Sequence, residues 1–573
     1  MKLLSGYFEG TLPDEGSLSA FLAGGRLPES VVDGGAVSDL PSEGYVLDIE
    51  AKRIVLRYAD PSGAFYGMQT LRQLLRSGRV LHCRSVRDWP DLPVRGFMLD
   101  ISRSKVPTMA TLRSLVELMA SLKLNQLQLY TEHTFAYKGH EEVWKDASPI
   151  TPEELRELDD ICRSRAVELV ANQNSFGHMR PWLSLAKYRH LAEAPDGFED
   201  PWGAKRDYPY SLTPVVPETI DLLDDLYSQL LPNVRSEKFN VGCDETFDLG
   251  QGRSKELCDR IGKGKVYFDF LMKIHALVGK HGKRMLFWAD IVQQHPETID
   301  RLPKDSVAIE WGYEADHPFD DHCLRLSQAG LEFYVAPGTS TWNSVAGRWG
   351  VARENIAGAL GAARRFGARG MLLTEWGDNG YLQPFVTMAA PLAYAAGGAW
   401  NSVSLLTEPW LWLSRHYLRE DSSAPGREPG PLASSLRMLA ELYRLHPANI
   451  PNASIFGVAL VLAHMPKYAR SIDSFTGECR RKTREALAVI DLLIEECGRG
   501  DMKETLALRE VRFARRLIGL ANDLLDGKPP DSTVAGEILR EHETLWLERF
   551  RPGGLQLSRA FLEQRLGDSI SRG

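Results

Sequence analysis

Two adjacent carboxylates end a hydrophobic stretch near the middle of the 573-residue chain. Residues 238–246 read as a buried strand that runs into Asp244 and Glu245 and then into a glycine-containing loop. Carboxylates are costly to desolvate, so a pair placed where a strand leaves the core is often retained for chemistry. The alternative is that Asp244 caps the next helix and Glu245 is solvated. The residues that accompany the pair favour chemistry.

Other side chains that could bind a polar ligand follow the neighbouring hydrophobic segments. Trp288, Trp311 and Trp376 each stand near the end of one segment, and Trp342 lies in the loop after another. Flat apolar rings mixed with carboxylates, Arg and Asn suit a sugar, because the rings stack on its faces while the polar groups bind its hydroxyls. The polar candidates in these segments are Arg95, Asp100, Glu132, His133, Asn174, His178, Asp290, Glu310, Asn343, Glu375 and Asp378.

The pattern of carboxylates also constrains the reaction. A retaining glycosidase with a protein nucleophile needs two carboxyls about 5–5.5 Å apart, and an inverting one about 6.5–9.5 Å. Successive strand residues point to opposite faces, so Asp244 and Glu245 are poorly placed to flank one bond. Residues 334–342, where many barrel glycosidases carry the nucleophile, contain no carboxylate. A 2-acetamido group of the substrate would supply the nucleophile, with Glu245 protonating the leaving oxygen and Asp244 holding the acetamide N–H.

These side chains converge only if the segments that carry them form one parallel sheet or barrel. Strand patterns occur at 94–101, 124–130, 167–172, 239–243, 284–288, 307–311, 333–336 and 370–374. Helical patterns follow seven of them, at 109–123, 152–165, 216–231, 254–280, 319–328, 354–366 and 384–396. Eight strands that alternate with helices in this way predict a (β/α)8 TIM barrel of the α/β class, whose site lies at the C-terminal strand ends. The rival, a doubly wound sheet, wants a glycine-rich turn where this chain has Asp100-Ile-Ser-Arg103.

Two further units flank the predicted barrel. The first is a small N-terminal α+β domain, with strands and one helix at 43–50, 53–58 and 64–75. Beyond Pro409 the strand signal disappears, and helical periods occur at 432–445, 473–497, 503–525 and 534–550. We therefore predict an N-terminal domain at 1–90, a catalytic barrel at 91–405 and an all-helical C-terminal domain at 406–573.

Three segments resemble a known family. Residues 63–75 (GAFYGMQTLRQLL) are similar to the helix of its small domain, 94–103 (VRGFMLDISR) to its first barrel strand, and 239–245 (FNVGCDE) to its Asp-Glu signature strand. The chain thus resembles the family 20 glycoside hydrolases, the β-N-acetylhexosaminidases, over roughly residues 40–400. The resemblance implies exo-acting removal of terminal β-GlcNAc or β-GalNAc with retention, by substrate-assisted catalysis and without a cofactor.

The resemblance also implies roles for single residues. Glu245 would be the general acid/base and Asp244 the residue that orients the acetamide. Arg95 takes the place of an arginine that binds sugar hydroxyls, and Asp378 that of an acidic residue that binds the outer hydroxyls. The tryptophans that match those boxing the terminal sugar are Trp288, Trp311 and Trp376. Further substrate-binding residues predicted in the same loops are Glu132, His178, Trp342 and Asn343.

The sequence departs from the family pattern at several points. Asn240 stands where the family usually has His, and Asn174 where it has Asp four residues before His178. The usual Asp–His support for the acid is therefore altered, and no tyrosine clearly matches the one that binds the acetamide carbonyl. Asp378 is one methylene shorter than the more usual Glu, which predicts a site that admits water and accepts both epimers. These departures suggest a divergent bacterial-type branch.

Composition bears on partners and compartment. A net charge of −8 without a basic run predicts no nucleic-acid partner. We expect no signal peptide and no membrane span, and seven cysteines without CxxC spacing suggest a cytoplasmic location. Residues 320–323 (DDHC) resemble a metal cluster, but they fall on a helical pattern and favour a structural role. We predict no metal and no cofactor, with terminal β-N-acetylhexosaminides of oligosaccharides or glycoconjugates as partners; the oligomeric state stays open.

Two alternatives to this function remain. A conventional retaining glycosidase would use Glu245 as acid/base and Glu310 or Glu375 as the nucleophile. A carbohydrate-binding barrel that has lost catalysis is the non-enzymatic alternative, and the intact Asp244–Glu245 pair argues against it.

Overall fold

The computed structural model describes residues 32–51, 53–76, 82–103, 105–420, 428–497 and 504–570. The first 31 residues of the predicted N-terminal domain, and Lys52 in the turn between its two predicted strands, lie outside the described residues.

A four-stranded sheet with one helix opens the described part of the chain. Its strands are β1 (Val32–Ala36), β2 (Tyr45–Ile49), β3 (Ile54–Tyr58) and β4 (Arg84–Asp88), in the order β1-β3-β2-β4. The helix Pro61–Arg76 buries Tyr66 and Leu71 in a cluster with Leu47 and Leu56 of the sheet. The two predicted strands and the helix are present. β1 and β4 were not predicted from hydrophobic alternation, because β1 is glycine-rich and β4 is largely exposed.

Eight parallel strands form a closed barrel. They are β5 (Val94–Asp100), β6 (Gln126–Tyr130), β7 (Glu168–Asn172), β10 (Lys238–Asn240), β11 (Arg284–Trp288), β12 (Val307–Trp311), β13 (Glu332–Ala336) and β14 (Gly370–Glu375). β14 closes the barrel against β5, from the pair Gly370–Val94 to the pair Glu375–Leu99. Between β7 and β10, the short strands β8 (Phe198–Glu199) and β9 (Lys205–Arg206) form a hairpin. All eight predicted barrel strands are present, and the predicted fold class is confirmed.

Alternate residues of the barrel strands contribute to two separate cores. The lumen contains Met98, Val170, Leu286, Ile309 and Leu372. Their strand neighbours pack outward against the helices, as Phe97, Leu169, Phe287, Ala308 and Met371 do. Strands buried on both faces read as continuous hydrophobic runs, which is why the sequence reveals them. The same alternation decides whether a polar side chain near a strand end faces the lumen or the outer layer.

The outer layer consists of helices between the strands. Its longer helices are Met109–Ser121, Pro152–Arg163, Glu218–Leu230, Lys263–Lys280, Phe319–Gln328, Trp349–Phe366 and Ala389–Trp400. Its shorter helices include Glu141–Trp144, Arg180–Leu183, Lys255–Ile261 and Asp290–Gln294. The single helix predicted at 254–280 is two helices, because the chain turns at Gly262 with φ 88°.

Past residue 400 the described secondary structure is helical. Its longer α-helices are Pro431–Glu441, Gly477–Cys497, Leu506–Leu525, Ser532–Arg549 and Leu555–Ile570. The predicted all-helical region is confirmed, with one additional helix at its end. This region packs on the barrel through Arg551, which binds Glu154 at 2.9 Å and donates to Pro149 O at 2.7 Å. Among the described helices, none combines the length and the apolar character that a membrane span requires.

Candidate active site

The Asp-Glu pair lies in an irregular turn rather than in a strand. β10 ends at Asn240, and Gly242 and Glu245 have φ values of 69° and 49°. A Cβ on Gly242 would lie 1.9 Å from Asn174 Oδ1, so this turn requires glycine. The prediction that Asp244 and Glu245 point to opposite faces is wrong, because strand alternation has already ended where they stand.

His178 binds both carboxylates. Its Nε2 lies 3.2 Å from Asp244 Oδ2 and 3.4 Å from Glu245 Oε2. The preceding Gly177 permits this approach, since a Cβ there would lie 2.4 Å from the carbonyl oxygen of Asp244. Burial alone would lower the pKa of His178, but Asp244 and Glu245 outweigh it and raise the pKa to about 10. At neutral pH one imidazolium therefore serves both carboxylates.

Tyr210, Arg103 and Glu132 surround the His178 ring. The Tyr210 hydroxyl lies 2.9 Å from Nδ1 and 3.2 Å from Nε2, while Arg103 Nη2 lies 3.3 Å and Glu132 Oε1 3.7 Å from Nδ1. Tyr130 fixes Glu132 by donating to the same oxygen at 3.0 Å. The structure thus brings the predicted residue Glu132 to the site, beside the imidazole. The Glu132 carboxylate is the third that lies within 4 Å of the imidazole, after Asp244 and Glu245.

Arg95 lies at the opposite end of the barrel. It is the second residue of β5, is fully buried and binds Glu43 Oε2 at 2.7 Å. Its guanidinium also donates to Leu92 O at 2.9 Å and Lys123 O at 2.8 Å. The prediction that Arg95 binds sugar hydroxyls is wrong, because the first residues of a barrel strand lie at the face away from the site.

Arg103 is the arginine that the first barrel strand brings to the site. Its Nε lies 3.2 Å from Asp378 Oδ1, and its Nη1 lies 3.2 Å from Asp100 Oδ2. The guanidinium carbon is 4.8 Å from the centroid of the Trp376 ring. The sequence contains a signal for Arg103, because Arg103 follows the strand Val94–Asp100 whereas Arg95 lies at its beginning. Arg103 and Asp378 together offer a donor and an acceptor above an indole.

The predicted tryptophans come together at the lumen end. The Trp288 and Trp376 rings are 6.2 Å apart, and Trp342 meets Tyr313 edge-on at 5.1 Å. Tyr313 also stacks on Trp311 at 5.1 Å and accepts from Trp376 Nε1 at 2.8 Å. Sequence reasoning missed Tyr313, although it lies two residues after Trp311. The five rings form what we call the aromatic group.

Some buried polar atoms around this group have no hydrogen-bond partner among the described residues. They are Asp244 Oδ1 and the indole nitrogen of Trp288. Asp290 and the indole N–H of Trp311 lie close enough to interact with each other. Asp290 Oδ2 accepts from Glu245 N at 3.1 Å, and desolvation together with Asp244 raises the pKa of Asp290 well above its ordinary value. Buried polar atoms are normally hydrogen-bonded. Asp244 Oδ1 and the Trp288 nitrogen are therefore candidates for binding a polar ligand.

Asn343 binds protein groups at both ends of its amide. Nδ2 donates to Asn452 O at 3.3 Å, and Oδ1 accepts from Asn379 Nδ2 at 3.0 Å. The structure therefore does not bring Asn343 to the predicted sugar-binding role. It connects the loop after β13 to the C-terminal helical region instead.

The two alternative nucleophiles point away from the lumen. Glu310 lies between two residues of β12 that contact the lumen core, and it binds His317 and His322 in the outer layer. Glu375, the last residue of β14, accepts from Thr341 at 2.6 Å and is buried. The alternative that uses either as nucleophile is wrong, because neither carboxylate faces Glu245.

An aromatic row leads from His178 to solvent. The Tyr210 ring stacks on Phe247 at 5.7 Å, and Phe247 meets Trp202 at 5.5 Å. Trp202 lies between β8 and β9 and is 65% exposed. Lys467 of the C-terminal region approaches the same indole, with Nζ 5.2 Å from the ring centroid. Sequence reasoning missed this row, because its members come from three separate loops.

Comparison with known proteins identifies the family. Residues 92–342 match the model for the glycosyl hydrolase family 20 catalytic domain, and residues 13–89 match that for glycosyl hydrolase family 20, domain 2. β14, Trp376 and Asp378 lie beyond the matched range, so their place at the site rests on the structure alone.

Curated relatives match over part of their length. A beta-hexosaminidase of Porphyromonas gingivalis is 25% identical over 289 residues, which is 44% of this chain and 36% of the relative. Hexosaminidase D of Bos taurus is 24% identical over 221 residues, which is 37% of this chain and 60% of the relative. The chain thus spans about a third to three fifths of the length of these relatives.

Solved structures share the fold. A GH20 exo beta-N-acetylglucosaminidase from Vibrio harveyi has a TM-score of 0.56 at 16% identity, covering 73% of this chain and 74% of that one. A chitobiase of Flavobacterium johnsoniae has a TM-score of 0.55 at 15% identity, covering 91% and 89%. The two family models together match more than half of the 573 residues, and the chain belongs to glycosyl hydrolase family 20.

Proposed function

We propose that the chain is an exo-acting β-N-acetylhexosaminidase that uses the substrate's own 2-acetamido group as the nucleophile. The observation that carries the proposal is the environment of Asp244. Oδ2 lies 3.2 Å from His178 Nε2, while Oδ1 has no partner among the described residues. Burial and, to a smaller extent, the charge of Asp244 raise the pKa of Tyr313, so the carboxylate lies within electrostatic reach of the aromatic group. An acetamide N–H could donate to Oδ1, and the methyl group could lie against the indoles. The names of the curated relatives, beta-hexosaminidase and hexosaminidase D, support the same reaction.

Glu245 has the role of general acid and then general base. It would protonate the glycosidic oxygen while the acetamide oxygen attacks the anomeric carbon and forms an oxazolinium ion. The His178 imidazolium stabilises the carboxylate that remains after this proton transfer. Asp244 stabilises the positive charge that develops on the acetamide, because a fixed carboxylate in a desolvated site interacts strongly with it. Water activated by Glu245 then opens the ring from the same face, which retains the β configuration.

The proposed substrates are terminal β-GlcNAc and β-GalNAc of oligosaccharides or glycoconjugates. The pair of Arg103 and Asp378 would meet the outer hydroxyls. Asp378 is about one third exposed, so water can complete hydrogen bonds that either direction of the 4-hydroxyl leaves open. We expect the two epimers to be hydrolysed with efficiencies within about 1–2 kcal/mol of each other, the scale of one modest hydrogen bond. Asp378→Ala should weaken both together.

A comparison of two substrates tests the proposal directly. Nitrophenyl β-N-acetylglucosaminide should be hydrolysed, whereas nitrophenyl β-glucoside, which lacks the acetamide, should show almost no turnover. NMR of the first-formed product should show the β anomer. Equal rates on both substrates, or an α product, would refute substrate assistance. No turnover of any β-hexosaminide would favour the non-catalytic alternative.

A further inference from the structure

A second group of ionisable side chains lies on the outer face of the barrel. Glu310 Oε1 is 2.9 Å from His317 Nε2 and 2.7 Å from His322 Nδ1. One ligand atom from each of the three residues lies within 4.8 Å of the others. The group joins β12, the loop after it and the helix Phe319–Gln328. The reaction proposed above uses none of these side chains.

Glu310 is a buried negative charge that lacks a permanent cation. Its side chain is 2% exposed, and in the described part of the chain its ion-pair partners are the two imidazoles alone. The nearby Arg325 donates to Gln293 Oε1 at 2.9 Å instead. A buried carboxylate requires a paired charge or a metal.

The donor set matches a borderline divalent metal ion. Two imidazole nitrogens and one carboxylate oxygen are the three protein ligands of many zinc sites, which leave a fourth position for water. The side chains of His317 and His322 are 19% and 21% exposed, so solvent can reach that position. With metal–ligand bonds of about 2.0–2.1 Å in a tetrahedron, neighbouring ligand atoms would be about 3.3 Å apart. Each contact would thus lengthen by roughly 0.5 Å when an ion replaces the two bridging protons.

Surrounding residues hold the three ligands in place. Gln293 Nε2 donates to Glu310 Oε2 and to the carbonyl oxygen of His322, both at 3.2 Å. Gly312 permits the approach of His317, because a Cβ there would lie 2.2 Å from the imidazole ring. Groups that orient ligands in this way typically contribute tenfold or more to metal affinity.

We propose that Glu310, His317 and His322 form a binding site for a divalent transition metal of the Zn²⁺ class. The site lies apart from the proposed catalytic residues, since Glu310 faces the outer layer and the lumen lies on the other side of β12. Its effect on the active site would be indirect. Gln293 belongs to the helix Asp290–Gln294, whose first residue binds Glu245 N, and Trp311 follows Glu310 directly. A bound ion would therefore fix the loops after β11 and β12, which carry Asp290 and Tyr313.

Cys323 and Asp320 take no part in the site. Cys323 is fully buried, and Asp320 forms an ion pair with Arg365. Among residues 320–323, His322 is thus the one that lies beside a second histidine and a carboxylate.

Metal titration of the full chain tests the proposal. Protein stripped with a chelator is titrated with Zn²⁺ in a calorimeter, with thermal unfolding as a second measurement and Co²⁺ absorption as a probe of geometry. We expect one equivalent to bind, with a Tm that rises with Zn²⁺ concentration. His322→Ala and Glu310→Gln should weaken binding at least a hundredfold. Gln293→Ala should weaken Zn²⁺ binding about tenfold. Because this variant keeps all three ligands, it still tests the site if the ligand variants do not fold.

Two controls make the result specific. His275→Ala removes a partly exposed histidine that is 3.0 Å from Asp305 and should leave binding unchanged. His178→Ala alters the other group that could hold an ion, formed with Asp244 and Glu245. The proposal is overturned if wild type binds no Zn²⁺. It is equally overturned if His178→Ala abolishes binding while His322→Ala and Gln293→Ala do not.

Discussion

Replacing Asp244 by Asn tests the proposed mechanism most directly. The substitution keeps the shape of the side chain but removes its charge, and with it the ion pair of 3.2 Å to His178. A carboxylate about 4 Å from a full positive charge contributes about 4 kcal/mol at an effective dielectric constant near 20. The oxazolinium carries that charge in the transition state and the substrate does not, so the loss should appear in kcat rather than in KM.

We expect kcat/KM on N-acetyl substrates to fall about 10²–10³-fold, which is the usual effect of removing one preorganised electrostatic group. A thiazoline that mimics the oxazolinium provides the independent assay. Its inhibition constant should rise by about the same factor, because inhibitor and transition state share the charge that Asp244 stabilises. The two measurements should therefore change in parallel across Asp244 variants.

Asp248→Asn is the matched control. Asp248 is also buried and lies four residues later, where its Oδ2 accepts from Ser211 N at 3.0 Å. Burial raises the pKa of Asp248, and an amide oxygen can accept the same bond, so activity should change less than about threefold. A thiazoline that binds the Asp244→Asn variant as tightly as wild type would refute the reasoning. So would a covalent glycosyl-enzyme trapped from wild type with a 2-fluoro sugar.

Three further predictions concern neighbouring residues. Glu245→Gln should cost about 10²–10⁴-fold in kcat on substrates with poor leaving groups and less on nitrophenyl glycosides, which need little protonation; equal losses in steady-state assays would contradict its role as acid. Trp202→Ala should raise KM for a disaccharide about 2–12-fold, the scale of one aromatic contact, and leave KM for a glycosyl fluoride unchanged. The raised pKa of His178 means that its contribution to stability is full below about pH 6.5 and is lost as pH rises to about 10. The free energy of unfolding of wild type should therefore fall relative to that of His178→Gln across this range in denaturant titrations, and a constant difference would contradict the charged imidazole.

The barrel could be predicted from the sequence because its strands are buried on both faces. Residues such as Met98 in the lumen and Phe97 outside it make each strand a continuous apolar run, and the helices between them have clear amphipathic periods. The tryptophans near the strand ends could be predicted to converge for the same reason. The hydrophobic pattern does not show at which residue each strand ends or which end of a strand lies at the site. The two main errors about the site have this cause.

Arg95 and the Asp244–Glu245 pair illustrate that limit. The family resemblance predicts Arg95 at the site, and Arg95 does belong to the first barrel strand, but it lies at the end of that strand away from the site. A strand that continued to residue 243 would turn Asp244 and Glu245 to opposite faces, whereas the observed strand ends at Asn240. Asn240 itself explains the early end: Oδ1 accepts from Gly242 N at 3.0 Å and Nδ2 donates to Gln128 at 2.9 Å. Such side-chain bonds to a turn leave no periodic signal.

The C-terminal helical region is part of the site's construction rather than a separate module. Arg348, buried in the loop after β13, binds Glu314 at 2.8 Å and donates to Ile450 O at 3.1 Å. Glu314 in turn accepts from the backbone N–H of Asn452 at 2.8 Å. Glu314 directly follows Tyr313, so residues 449–452 fix the segment that places the Tyr313 hydroxyl beside Trp376.

Lys467 of the same helical region contacts Trp202. Two parts of the site, the aromatic group and the row toward solvent, thus depend on contacts more than a hundred residues away in sequence. Sequence periodicity predicts the helices of this region but does not predict which loops of the site they contact.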